Sequence, residues 1–87
     1  VMARIVLSKK AGKYLQRMDA RIKAQLVGKL EALARNPADT ANVKPMEGDY
    51  EGCHRLRHGD LRVIYHWDQQ ADTLVILAIG PRGDIYK

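Results

Sequence analysis

Apolar and polar positions change period several times along the chain, and each change marks an element. Ala3-Arg4-Ile5-Val6-Leu7 is short and rich in β-branched residues, which predicts a strand, and Ser8 follows as an N-cap for what comes next. The period then lengthens to that of a helix. Ala11, Tyr14, Leu15 and Met18 recur at i, i+3, i+4 and i+7, and Ile22, Leu26, Leu30 and Leu33 form a second stripe after Asp19, a plausible cap. Asn36-Pro37 ends that helix. The link around Asp19 is too short for a crossover, so the two helices form a hairpin that lays its apolar stripe on a sheet.

Residues 36–52 contain Pro37, Pro45, Gly48 and Gly52 with little apolar periodicity, and are read as a loop returning to the sheet. Strands are predicted near 52–57, 61–68 and 73–80, with turns at His58-Gly59-Asp60 and Gln69-Gln70-Ala71-Asp72 and a short extension near 84–86. These make an antiparallel meander. The run Leu74-Val75-Ile76-Leu77-Ala78-Ile79 is apolar on both faces, so its strand belongs centrally, with the helices on one side and another segment partly covering the other. The expected fold is α+β: a two-layer β-α-α-β-β-β arrangement, its antiparallel-rich sheet packed against a helical hairpin. The 87 residues (1–87) suffice for a single domain with one core.

Composition supports a folded chain, with 46% hydrophobic and 29% charged residues and no apolar run that could span a bilayer. Cys53 is the only cysteine, which rules out an intrachain disulfide, and no charged-then-apolar leader precedes the first strand, so a cytoplasmic location is expected. His54, His58 and His66 fit no paired zinc spacing with Cys53, so neither a metal nor another cofactor is expected. The formal charge of +5 favours polyanionic partners. It is unevenly spread: residues 1–35 carry nine Lys and Arg against two acids, residues 52–87 five against four. Charge in the last third therefore matters through arrangement.

That arrangement is a strand pattern of arginines. Side chains alternate with period two, so Arg55 and Arg57 share a face with Cys53 while Leu56 and His54 point to the core, and Arg62 opens the next strand across a tight turn. A sheet that clusters like charges offers them to an anion; the plainer alternative is a solvated face salt-bridged to Glu47, Asp49 or Glu51. Val63, Tyr65 and Trp67 read as a core row, with His66 on the opposite face in line with Arg62 and Ile64. Arg82 stands between Gly80-Pro81 and Gly83. Tyr86, four residues on, is placed to stack on a base or bond a phosphoryl oxygen, or else to anchor the terminus. No Ser-His-Asp set, Walker loop, dinucleotide glycine pattern or paired carboxylates appear. What remains is chemistry that guanidiniums support, such as RNA cleavage in which the ribose 2′-OH attacks its own phosphate.

The order of elements, Arg55-Leu56-Arg57-His58-Gly59-Asp60-Leu61-Arg62-Val63-Ile64-Tyr65 and the terminal Arg82-Gly83-Asp84-Ile85-Tyr86 resemble the RelE/ParE toxin superfamily, the RelE branch more than the ParE branch. The resemblance implies the toxin of a type II toxin–antitoxin system: a metal-independent endoribonuclease that enters the A site of the 70S ribosome, cleaves the mRNA there and is held inactive by a cognate antitoxin. By position, Arg62 and Arg82 match arginines that hold the scissile phosphate, and Tyr86 a tyrosine that orients the base or assists proton transfer. Arg55 falls where relatives carry a lysine proposed as general base; an arginine there supplies charge but, being effectively always protonated, is a poor proton acceptor. Tyr86, His54 or solvent is expected to accept the proton, in declining order. Arg57 and His54 would contact RNA, and the helical Lys9, Lys10, Lys13, Arg17, Arg21 and Lys23 would face rRNA. Rival readings are a ParE-like inhibitor of DNA gyrase and an RNA-binding module without catalysis.

Overall fold

In the computed structural model, residues 2–38 and 43–81 are described. Strand β1 (Arg4–Leu7) leads through Ser8 into helix α1 (Lys9–Gln16) and then helix α2 (Ala20–Arg35). Both caps are as the sequence predicts. The Ala11 N–H donates to Ser8 Oγ at 3.0 Å, and the N–H groups of Arg21 and Ile22 donate to Asp19 Oδ2 at 3.2 and 3.4 Å. Strands β2 (Val43–Pro45), β3 (His54–His58), β4 (Leu61–Asp68) and β5 (Thr73–Pro81) follow, with a 3-10 turn at Gly48–Tyr50 between β2 and β3.

The five strands lie in the order β1-β5-β4-β3-β2. The meander β3-β4-β5 is antiparallel as expected, and β1 adds to β5 in parallel at one edge, while the helical hairpin that follows β1 precedes β2 at the opposite edge. Strand β5 is interior, but β4 holds the centre.

The segment read as a loop contains a strand. Val43, Lys44 and Pro45 pair with Leu56, Arg55 and His54, which makes β2 the sheet's outer edge. Three residues ending in a proline carry no readable period, and an edge tolerates the missing N–H of Pro45. Strand β3 starts two residues later than expected, because Gly52 adopts a left-handed φ of 89° in the turn before it.

The main core lies between the helices and one sheet face. Ala11, Leu26, Leu30, Leu33 and Ala34 pack on Leu56, Val63, Tyr65, Leu74, Ile76 and Ile79. The spacing of the last three breaks period two. A β-bulge pairs Ile64 with Ala78 but Tyr65 with Ile76, which leaves Leu77 over and shifts the inward positions of β5 from even to odd. The far face is covered by the 46–53 segment, where Met46, Tyr50 and Cys53 pack on Ile64, Ala78 and Leu77. Ile22 departs from its expected place in the core, being 44% exposed at the end of the helix stripe. Among the described residues, no helix is long and apolar enough to cross a membrane.

Candidate functional site

The β3–β4 hairpin turns through Gly59-Asp60, with Gly59 at φ 58°, a conformation open to glycine without strain. Its register makes Arg57 the direct partner of Arg62 and Arg55 the partner of Ile64. Directly opposed residues share a face. Leu56 and Val63 point to the helices, so Arg55, Arg57 and Arg62 stand on the far face, as the alternation predicts. Lys44 joins them as the direct partner of Arg55 across β2–β3, and it is exposed. Sequence reasoning missed Lys44 because its strand was missed.

The arginines differ in environment. Arg57 is exposed, Arg55 half-buried, and Arg62 only 7% exposed. Arg62 is folded back on the turn: Nη1 donates to the carbonyls of Gly59 at 3.2 Å and Leu61 at 3.0 Å. Those bonds tie its guanidinium to the turn, where two carbonyl dipoles offset the like charge of its ladder partner Arg57. Strand β3 is tied to the helical layer by Lys29, whose Nζ donates to the carbonyl of Arg57 at 2.6 Å.

The remaining predicted residues divide between layers. His54 pairs with Tyr65 on the helix side, the two rings stacked at 5.7 Å between centroids, and its Nδ1 is buried without a hydrogen-bond partner. It does not join the arginines. Lys9, Lys13 and Lys23 line one groove on the helical layer, with no acidic residue among the described side chains that line it. Lys10 and Arg17 are exposed nearby on the same helix and its cap. A second pocket, about 420 Å³, opens between the helices and the hairpin turn, where Tyr14, Met18, Ile22 and Leu61 meet Asp19 and Asp60. Among the described residues no lysine or arginine lines it. Arg82 and Tyr86 lie outside the described residues, as does the predicted extension at 84–86. The described chain ends at Pro81, opposite Leu61, with Gly80 opposite Arg62. Among the described residues no group of three or more His, Cys, Asp and Glu is placed to hold a metal ion. Burial raises the thiol pKa of Cys53, beside the arginine row.

Residues 5–86 match the family described as the ParE toxin of the type II toxin–antitoxin system parDE. Toxin RelE of Mycobacterium tuberculosis is 32% identical over 84 residues, covering 95% of this chain and 84% of the relative. The chain belongs to the RelE/ParE toxin family. Solved RelE structures bear out the fold. The RelBE2 toxin–antitoxin complex of M. tuberculosis superposes with a TM-score of 0.79 at 28% identity, covering 94% of this chain and 100% of that one. The RelE–RelB complex of Pyrococcus horikoshii gives 0.79 at 27%, covering 95% and 98%. Within this RelE-like toxin, the arginine hairpin that suggested the family from sequence is the same element that gathers the far-face cations.

Proposed function

We propose that this toxin is a ribosome-dependent endoribonuclease that cleaves mRNA in the A site and so stops translation in the cytoplasm. The observation that carries the reading is the hairpin register, which sets Arg57 against Arg62 and adds Arg55 and Lys44 on one sheet face. Cationic side chains so arranged suit a phosphodiester, whose added negative charge in the transition state they stabilise without a metal. Arg62 would leave its turn carbonyls to meet the phosphate, and Arg82 and Tyr86 would complete the site from the segment after β5. The groove of Lys9, Lys13 and Lys23 would meet rRNA backbone.

A cognate antitoxin is the natural inhibitory partner, since the similar M. tuberculosis structure is a toxin–antitoxin complex and the P. horikoshii one a RelE–RelB complex. Inhibition of DNA gyrase is the second reading, favoured by the match to the ParE toxin family. Purified toxin with programmed ribosomes and a defined mRNA, run beside a gyrase supercoiling assay, separates the two. Codon-positioned cleavage with unimpaired supercoiling is expected; supercoiling inhibition without cleavage would refute the ribonuclease.

A further inference from the structure

The far face of the sheet offers cations in number, and arginines hold their protons too tightly to accept another. The imidazoles are distributed unequally between the two faces. His54 stacks on Tyr65 toward the helices, and His58 lines the acid-containing pocket on the same side. His66 alone among the described histidines is on the arginine face, in line with Arg62 and Ile64 on β4, and it is exposed.

The ring of His66 is oriented by the backbone. Its Nδ1 lies 3.4 Å from the carbonyl oxygen of Gly52. A carbonyl can only accept, so the contact forms with the proton on Nδ1, which leaves the lone pair of the neutral ring on Nε2. The carbonyl belongs to the turn into β3, set by the left-handed Gly52 (φ 89°) and by the bond from the Cys53 N–H to the Tyr50 carbonyl at 2.9 Å. On the ladder Arg55 pairs with Ile64, so His66 is its diagonal neighbour. Such positions lie about 7–8 Å apart on the backbone, within reach of one another's long side chains.

We propose that His66 is a catalytic residue whose Nε2 accepts the proton of the attacking ribose 2′-OH. The inference rests on the ribonuclease reading above. The O2′–P bond forms as the proton passes from O2′ to Nε2, the P–O5′ bond breaks, and the 5′ oxygen takes a proton from solvent. The products are a 2′,3′-cyclic phosphate and a 5′-hydroxyl, and the imidazolium returns its proton to water.

The test is single-turnover cleavage of mRNA on programmed ribosomes by the unmodified toxin, His66→Ala and His66→Gln. Both variants are expected to lose about a hundredfold or more in rate, the usual contribution of a positioned acid or base. Added imidazole should restore part of the rate to His66→Ala and none to Arg57→Ala. Full cleavage by either histidine variant would overturn the proposal, because glutamine can keep the bond to Gly52 but cannot take the proton. A slowed His66→Ala that imidazole does not rescue would overturn it as well. If the unmodified toxin fails to cleave, the ribonuclease reading falls and this assignment falls with it, an outcome distinct from normal cleavage by the variants.

Discussion

At the scale of single residues, Arg62 answers to two demands. It is 7% exposed and spends Nη1 on two turn carbonyls, yet its register places it on the far face of the sheet, which the proposed function assigns to RNA. Truncation should therefore be felt twice. Arg62→Ala should lower stability by about 1.5–3 kcal/mol, as for loss of hydrogen bonds to a charged group, and lower cleavage roughly tenfold to a thousandfold. Arg62→Lys keeps the charge but loses the planar fork, so it should recover less than full activity. Thermal melting and cleavage rates measured on both variants check this; normal rates in both would remove Arg62 from the site. Cys53 gives a simpler expectation. Burial raises its pKa, so less thiolate is present at neutral pH than in a free cysteine. Iodoacetamide should alkylate the folded toxin more slowly than the urea-unfolded chain, with the gap narrowing as pH rises; equal rates would contradict the burial effect.

At the scale of elements, the bulge in β5 gives the helical layer a polar tie to the sheet beside the apolar core. It leaves Leu77 without a place in the β4 ladder, and the hydroxyl of Ser8 donates to the Leu77 carbonyl at 2.7 Å while accepting from the Ala11 N–H. One side chain thus caps α1 and satisfies the bulge. Ser8→Ala should cost about 1–2 kcal/mol by loss of the cap, with the stranded carbonyl pushing it toward the upper value, and Ser8→Thr should recover most of that. Urea unfolding of the two variants measures it, and a loss below about 0.5 kcal/mol in Ser8→Ala would show that solvent replaces the hydroxyl. Sequence could show Ser8 as a cap, because the change from strand to helix period falls there. It could not show the bond to Leu77, sixty-nine positions away. The helices, the β3–β4 turn and β4 were legible for the same reason, since each has a clear period or a glycine turn. Strand β2 was not, being three residues with a proline, and with it Lys44 went unread as the neighbour of Arg55. The parity change at Leu77 was hidden inside a run that is apolar at every position.

At the scale of the whole molecule, two groups of described cations stand on different layers. The arginines and Lys44 lie on the far face of the sheet, while Lys9, Lys13 and Lys23 share a groove on the helical layer. A toxin seated in the ribosome would use the first for the strand it cuts and the second for the backbone of the rRNA around it. The two roles respond differently to salt and to substitution. Each lysine that neutralises a phosphate releases counterions, so log affinity falls with log salt by about 0.7–0.9 per contact. Replacing Lys9, Lys13 and Lys23 together by glutamine should flatten the salt dependence of ribosome binding by roughly 2–3 in slope. The chemical step, measured in single turnover at saturating ribosomes, should be nearly unchanged, because none of the three lies on the arginine face. An Arg57→Gln variant should show the reverse emphasis, with a large loss in the chemical step and a slope reduced by about one at most. Equal effects of both changes on binding and on chemistry would mean that the layers do not divide the work. An unchanged salt slope in the triple variant would remove the helical groove from the ribosome-facing surface.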